Sequence, residues 1–325
     1  MRPKPHLVII KSSNAPTPSS RLRRWRDAFL RDKKLAVTKS TLAKYEITIN
    51  LYIDHVGPYH WPPTRFDLSD FLYATQQRAS NATAFAYWSV LRNWMNYIHT
   101  AGGLDEYPNP AEQITRLKLS PSEPKPEPRG LSDAHLKTLF EHLNSLPPTP
   151  VNVRDRVMLK FIWRTGARSG EAGRLKFRQI HWDEQCARLP ASETKNRRGR
   201  TLYFGKTVLT ELNNWSAYLK RAGYTGVWVF PTIGHRGSTI PKNAPLTVSG
   251  TRRMFQRRCA QAGIPNYTVH ELRHTFTKNA INAKKPLDAI RRQLGHSSPT
   301  MVLRYATIFD DEQARAFRDF GDEEE

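Results

Sequence analysis

The sequence predicts a mainly α-helical protein with one small β-sheet, arranged as two domains. Apolar residues recur at three- and four-residue intervals over most of the 325-residue chain. Two short strand-like segments flank one polar turn in the second half, and a proline-rich segment separates two helical regions. With 38% hydrophobic residues, a chain of this length can form a core in each domain.

The first half is predicted to be all-helical. Residues 1–20 are basic and rich in proline, so we expect a flexible basic arm, with an organelle transit peptide as the weaker alternative. Within residues 21–119, segments 41–58, 67–77 and 84–103 place their apolar side chains at helical spacing, and Gly57-Pro58 and Gly102-Gly103 predict two helix ends. The alternating prolines of residues 120–130 predict an extended linker.

The second domain, residues 131–325, is predicted to combine helices with a β-hairpin. The hairpin consists of strands near 185–190 and 201–205, joined by the basic turn of residues 192–200. Helices are expected within residues 132–143, 154–166, 248–263, 268–281, 286–295 and 298–309. The domain is therefore mainly helical, with the basic hairpin tip exposed.

The charge balance favours a polyanionic partner. The chain has 51 Lys+Arg against 29 Asp+Glu, a formal net charge of +22, which makes nucleic acid the first partner to consider. No apolar run approaches the roughly 18 residues of a membrane span. The two cysteines match no C-x-x-C pattern, which fits a reducing compartment. We therefore expect a soluble cytoplasmic protein associated with DNA.

One motif raises the possibility of a zinc enzyme. His270, Glu271 and His274 form His-Glu-x-x-His, by which many metalloproteases bind zinc. A catalytic zinc needs a third protein ligand, and His296 is the remaining possibility. Thr268, three residues before Glu271, predicts a capping box in which this carboxylate binds the Thr268 backbone amide. The metalloprotease hypothesis is therefore disfavoured, and no metal or other cofactor is expected.

The same predicted helix suits an anion better than a metal. His270 and Arg273 are three residues apart, so they share a face in the first turns, where the helix amides favour a negative charge. Similar polar pairs and turns occur elsewhere in the second domain. They are Arg168 with Glu171 three residues on, Lys195 in the hairpin turn, and His296 nine residues before Tyr305.

These stretches together resemble a known enzyme family. "TGARSGE", "HELRHTF" and "LGHSSPTMVLRY" are similar, in order and spacing, to the three signature boxes of the tyrosine recombinases of the phage-integrase and Xer type. The resemblance covers most of residues 131–325, whereas residues 21–119 resemble the family's core-binding domain in size and position only. It implies a mixed α+β catalytic domain whose catalytic residues are Arg168, Lys195, His270, Arg273, His296 and Tyr305.

The chemistry of phosphodiester cleavage fits these residue types. Arg168 and Arg273 suit the non-bridging oxygens, since guanidinium groups bind two oxygens at once and keep their charge. His296 could donate a further hydrogen bond to the same oxygens. Tyr305 would be the nucleophile, and because a phenol has a pKa of about 10, it needs a base, for which His270 is the candidate. The resemblance implies a 3′-phosphotyrosine product.

The leaving 5′-oxygen needs a proton, and the hairpin turn offers the donor. Lys195 is the candidate acid, because guanidinium groups are too weak as acids to replace it. Glu171 is predicted to orient Arg168 rather than to react. The remaining arginines of the turn are predicted to contact DNA; these are Arg197, Arg198 and Arg200.

The expected function is site-specific recombination of duplex DNA without ATP or metal. The resemblance implies a homotetramer on two paired sites, and the sequence identifies no accessory protein. The alternatives are a type IB topoisomerase or telomere resolvase with the same chemistry, or a DNA-binding protein that does not cut. The acidic tail, residues 309–325, is expected to dock on a neighbouring subunit, as the resemblance implies, or to pack against its own domain.

Overall fold

The structure is a computed structural model that describes residues 18–57, 61–102, 104, 106–114, 130–194, 198–234 and 241–296. The chain divides into two compact units, Met1–Lys125 and Pro126–Glu325. Helices dominate both units, and short antiparallel strands occur in the second, so the predicted fold class is confirmed. None of the helices in these ranges is long and apolar enough to cross a membrane.

Helices make up the regular structure of the first unit over its described residues. The side chains of Thr38, Thr64 and Ser80 each accept a hydrogen bond from the backbone N–H three residues later, which fixes the start of three of these helices. The helices are α1 (Pro18–Lys33), α2 (Lys39–Val56), α3 (Arg65–Arg78), α4 (Asn81–Thr100) and α5 (Pro110–Gln113). As the sequence predicts, α2 ends directly before Gly57, which has a positive φ of 76°.

Large aromatic side chains form the core of the first unit. The Tyr52 ring of α2 is fully buried, with its centroid 5.6 Å from that of Phe71 and 6.1 Å from that of Trp94. Both contacts are edge-to-face, the arrangement that aromatic pairs prefer. Tyr52 and Phe71 lie at positions that the helical periodicity predicts to be apolar, whereas Trp94 was not predicted as a core residue.

The second unit combines helices with two small antiparallel sheets. Its helices are α6 (Asp133–Ser145), α7 (Pro150–Thr165), α8 (Ser169–Gly173), α9 (Lys206–Arg221), α10 (Val248–Gln261), α11 (Val269–Asn282) and α12 (Leu287–Leu294). Its strands are β1 (Ile180–His181), β2 (Cys186–Leu189), β3 (Arg200–Tyr203), β4 (Pro231–Ile233) and β5 (Pro241–Pro245). The predicted hairpin is present as β2 and β3, paired from Cys186–Tyr203 to Leu189–Arg200.

Three features of the second unit were not predicted, and two predicted segments lie outside the described residues. Strand β1 extends the hairpin to three strands, and β4 with β5 forms a second sheet where one sheet was predicted. Helix α9 was not predicted. The predicted helix of residues 298–309 and the acidic tail lie outside the described residues.

A buried ion network joins α7 to α10. Asp155 is fully buried, and its carboxylate accepts hydrogen bonds from Arg154 at 2.7 Å and from Arg258 at 2.7 Å. Arg154 also donates to the carbonyl of Pro231 in β4 at 3.1 Å. Since a buried charge needs a partner, this network holds α7, α10 and β4 together.

Candidate active site

The first signature stretch is a tight connection between α7 and α8. Gly166 ends α7 with φ 67°, and a Cβ there would lie 2.7 Å from side-chain carbons of Leu294 and Phe276, so this position requires glycine. Arg168 follows as the residue before α8. Its backbone N–H donates to Glu171 Oε2 at 2.8 Å, and its Nη1 donates to Oε1 at 3.0 Å. Glu171 thereby fixes both the backbone and the guanidinium of Arg168.

The second signature stretch begins helix α11. Thr268 and Glu271 form the predicted capping box: the Thr268 N–H donates to Glu271 Oε2 at 2.5 Å, and the Glu271 N–H donates to Thr268 Oγ1 at 3.3 Å. The carboxylate of the His-Glu-x-x-His motif therefore caps the N-terminus of α11. Over the described ranges, no three His, Cys, Asp or Glu residues come close enough to hold a metal ion.

Arg273 is the most deeply buried cation of the site, with 3% of its surface exposed. It donates to the Gly166 carbonyl at 2.5 Å, to the Leu294 carbonyl at 2.7 Å and to His296 Nε2 at 3.0 Å. Burial, followed by the charges of Arg168 and Arg200, lowers the Arg273 pKa to about 9. The guanidinium still carries its charge at pH 7, because this value lies above the ambient pH.

His296 lies in the loop that follows α12, and its imidazole is neutral at pH 7. Burial and the charges of Arg273, Arg168, Arg200 and His270, in that order, lower the His296 pKa to about 4. Because a guanidinium can only donate, Nε2 accepts from Arg273 and the ring hydrogen is on Nδ1. Nδ1 is buried, and it has no hydrogen-bond partner within the part of the chain that the structure describes.

Arg200 belongs to the same cluster, although its place in the basic turn predicts contact with DNA. Its side chain is 6% exposed, and its guanidinium donates to Glu171 Oε2 at 2.5 Å and to the Gln293 carbonyl at 2.6 Å. Burial acts to raise the Glu171 pKa, but Arg200 and then the backbone N–H and guanidinium of Arg168 outweigh burial and hold the pKa below its ordinary value. In the part of the site that the structure describes, one ionised carboxylate thus pairs with two of the cations.

This constellation agrees with the comparisons to known proteins. The model of the phage integrase family matches residues 130–312, more than half of the chain. The chain belongs to the phage integrase family. The tyrosine recombinase XerC of Roseiflexus sp. (strain RS-1) is 26% identical over 295 residues, which cover 87% of this chain and 88% of XerC. The chain is accordingly a site-specific tyrosine recombinase, an enzyme that breaks and rejoins DNA strands.

Solved structures of the same family share the fold. The XerH site-specific recombinase bound to a palindromic difH substrate aligns with a TM-score of 0.75 at 18% identity, covering 94% of this chain and 97% of XerH. A lambda integrase tetramer bound to a Holliday junction aligns with a TM-score of 0.66 at 17% identity, covering 90% of this chain and 80% of the integrase. These alignments extend over both units of the recombinase.

His270 of the recombinase lies at the edge of the cluster. It is exposed in the first turn of α11, and its ring centroid is 4.3 Å from that of His274. Its charge is close enough to depress the pKa of His296. Burial, followed by the charges of His270 and Arg273, lowers the His274 pKa to about 4, so His274 is a neutral side chain beside the candidate base.

The structure therefore brings together the four predicted catalytic residues that it describes. Arg168, His270, Arg273 and His296 interact directly or through their charges. Arg198 is exposed, two residues before strand β3 begins at Arg200. The predicted residues Lys195, Arg197 and Tyr305 lie outside the described residues.

Sequence reasoning missed one participant of the site. The Gln293 amide donates to the carbonyls of Tyr203 and Thr165 at 2.9 and 3.1 Å, and its Oε1 accepts from the Tyr203 N–H at 3.2 Å. This glutamine thereby joins α12 to strand β3 and to the end of α7. No motif marks it, because its partners are backbone groups 90 and 128 residues away in the sequence.

Proposed function

We propose that this recombinase cuts and rejoins duplex DNA through a covalent 3′-phosphotyrosine at Tyr305. The observation that supports the proposal is the group of three guanidiniums, from Arg168, Arg200 and Arg273, around the single carboxylate of Glu171. Among the described residues, and with His296 neutral, the three guanidiniums face the one carboxylate of Glu171. Such a net positive, partly buried site suits a phosphodiester whose oxygens gain charge during attack.

The proposed cleavage step exchanges one phosphate ester for another. The Tyr305 oxygen bonds to phosphorus while the bond from phosphorus to the 5′-oxygen breaks. The phenol proton passes to His270, and Lys195 supplies a proton to the leaving 5′-oxygen. The reverse step, with the 5′-hydroxyl of another strand, releases the tyrosine. The covalent bond keeps the energy of the phosphodiester, so the cycle needs neither ATP nor a metal ion.

The described residues would stabilise the transition state of this step. Arg168 and Arg273 would bind the non-bridging oxygens, since both are fixed by protein acceptors before DNA arrives. His296 would donate a ring N–H to the same oxygens once DNA binding reorients its imidazole, because the Nδ1 that carries the hydrogen here is buried. Preorganised donors of this type contribute about 10²- to 10³-fold each to rates of related reactions.

We assign DNA binding to both units. Residues 21–119 would form the core-DNA-binding domain and residues 131–325 the catalytic domain, with residues 120–130 as the linker and 1–20 as a basic arm. The exposed arginines of α1 suit contacts to phosphates. They are Arg21, Arg23, Arg24 and Arg31. Arg197 and Arg198 remain assigned to DNA contact near the active site.

We further propose that the recombinase acts as a homotetramer on two paired sites in duplex DNA. The support is its likeness to lambda integrase, which forms a tetramer on a Holliday junction. A DNA-acting enzyme of this class would work in the cytoplasm, on the nucleoid. The alternatives of a type IB topoisomerase, a telomere resolvase or a non-cutting DNA-binding protein are not favoured, because the relatives are site-specific recombinases.

A nicked suicide substrate tests the proposed nucleophile. On such DNA the short 5′-fragment diffuses away after cleavage, so the covalent complex accumulates and is seen on a denaturing gel. Tyr305→Phe removes one hydroxyl and no charge, so we expect DNA binding within about twofold of the parent and no covalent complex. Adduct formation by Tyr305→Phe at the parental rate would refute the proposal, and a parent that binds but never forms an adduct would support a non-cutting protein.

A further inference from the structure

Three guanidinium groups cover the C-terminal end of helix α12. Arg200 donates to the Gln293 carbonyl at 2.6 Å, Arg273 to the Leu294 carbonyl at 2.7 Å and Arg168 to the Gly295 carbonyl at 3.2 Å. The last carbonyls of a helix have no partner within the helix and carry partial negative charge. Three consecutive carbonyls therefore act as fixed acceptors for the three arginines.

Arg200 is enclosed by protein on several sides. Its guanidinium forms an ion pair at 2.5 Å with Glu171, where both side chains are nearly fully buried. It also lies against Gly295, where φ is 63° and a Cβ would stand 2.7 Å from Arg200 Cδ. The Nε of Arg200 is buried as well, without a hydrogen-bond partner among the described residues. Both Nη groups of Arg200 thus donate to acceptors that belong to the protein.

Strand β3, which carries Arg200, is held to α12 by a second contact. The Gln293 side chain donates to the Tyr203 carbonyl at 2.9 Å and accepts from the Tyr203 N–H at 3.2 Å. Because β3 pairs only with β2 among the described strands, this amide takes the place of a neighbouring strand. Arg200 and Gln293 together fix the position of the end of α12, directly before His296.

We propose that Arg200 is a positioning residue for DNA cleavage and does not contact DNA. It holds Glu171 and the end of α12, so that Arg168, Arg273 and His296 keep the geometry that a phosphate requires. Without Arg200, the buried Glu171 carboxylate retains Arg168 as its cation and draws that guanidinium away from the phosphate. The inference rests on the proposed assignment of Arg168, Arg273 and His296 to the phosphate.

The test separates the rate of cleavage from the affinity for DNA. Arg200→Met keeps the length and apolar stem of the side chain but removes its charge and donors. At saturating protein on the nicked suicide substrate, we expect adduct formation to slow by about 10- to 100-fold, as geometry-dependent contacts of the transition state are lost. The Kd for DNA should stay within about twofold of the parent, and its dependence on salt should be unchanged.

Two other arginines provide controls, one just before β3 and one on β2. Arg198→Met removes an exposed cation assigned to DNA, so binding should weaken and the salt dependence of log K should fall by about one phosphate contact. Arg188→Met removes an exposed cation of β2 that pairs with Glu184, outside the site. It should leave both the rate of adduct formation and the Kd for DNA unchanged. A conservative Arg200→Lys keeps the charge beside Glu171 but cannot also reach Gln293, so it should restore part of the rate.

The outcomes decide between positioning and direct contact. If Arg200→Met weakens DNA binding, lowers the salt dependence and leaves the saturated rate at the parental value, Arg200 is a DNA contact and the inference is wrong. If Arg200→Met does not fold, Arg200→Lys and Gln293→Leu are decisive, since parental rates for both would overturn the inference. The proposed function fails separately, when Tyr305→Phe forms an adduct or Arg168→Met cleaves at the parental rate.

Discussion

Among the described residues, Glu171 is the only carboxylate that pairs with the cations of the site. Replacing it by glutamine tests how much these ion pairs stabilise the second unit. The Glu171 side chain is 3% exposed. It accepts from the Arg168 N–H at 2.8 Å, from the Arg168 guanidinium at 3.0 Å and from Arg200 at 2.5 Å. Loss of one partner of a buried ion pair costs about 3–5 kcal/mol, and loss of one hydrogen bond to a charged group costs about 1.5–3 kcal/mol. Because the amide keeps one acceptor oxygen, we expect about 3 kcal/mol of destabilisation.

Thermal denaturation of the full chain measures this effect. For a unit of about 200 residues, each kcal/mol lowers Tm by about 2–4 °C, so Glu171→Gln should lower the Tm of the second unit by about 6–12 °C. Glu184→Gln is the matched control. Glu184 is 51% exposed and pairs with Arg188, so its replacement should cost less than about 1 kcal/mol. Equal Tm values for the two variants would refute the assigned role of Glu171.

The pH dependence of the stability difference between the parent and Glu171→Gln provides a second test of the ion pairs. The Glu171 pKa lies below its ordinary value in the folded protein, so its contribution to stability is complete above the unfolded pKa of about 4.3. The contribution is lost as the pH falls through the folded pKa. The difference in stability between parent and Glu171→Gln should therefore be constant near pH 7 and shrink below about pH 4. A difference that widens in acid would contradict the ion-pair assignment.

Three further predictions follow from the proposed chemistry. A 5′-bridging phosphorothiolate leaves as a thiolate without needing an acid, so it should rescue cleavage by Lys195→Ala selectively; equal slowness on both substrates would assign Lys195 to phosphate binding. Activity should survive EDTA, because no proposed step uses a metal, whereas zinc bound at one per chain and lost in His270→Ala would restore the metalloprotease hypothesis. If the tail docks on a neighbouring subunit, deletion of residues 311–325 should leave single-site binding intact and weaken assembly of paired sites in mobility-shift assays; tetramers and recombination at the full-length rate would exclude that role.

Local patterns in the sequence predict the elements that carry the site. The capping box of Thr268 and Glu271 involves residues three apart, so the start of α11 can be read directly from the chain. The same holds for the end of α12, where Gly295 has φ 63°. Helix α9 also carries a local signal, the spacing of its apolar residues, although it was not predicted. Its buried residues Val208, Leu212 and Trp215 stand at helical spacing, and this periodicity would have predicted the helix.

Burial of a charged residue is harder to predict, because it depends on distant partners. Arg200 lies in a basic turn where three other cations suggest an exposed surface. Its partners in the fold are a carboxylate 29 residues earlier and a backbone carbonyl 93 residues later. Every residue has a backbone carbonyl, so the sequence does not mark the carbonyls at the end of α12 as acceptors for three arginines. The assignment of individual arginines to DNA therefore exceeds what one sequence determines.

The choice of acceptors explains how the site keeps its charge while its arginines stay fixed. A carboxylate for each guanidinium would hold all three in place but would cancel the field that attracts a phosphate. Instead, Glu171 serves Arg168 and Arg200, and carbonyl dipoles at Gly166 and Leu294 hold Arg273. The cost of this arrangement is visible in the Arg273 pKa of about 9, which burial and the neighbouring cations lower. An oxyanion bound among these groups would relieve the repulsion, and by linkage it would raise that pKa and stabilise the second unit.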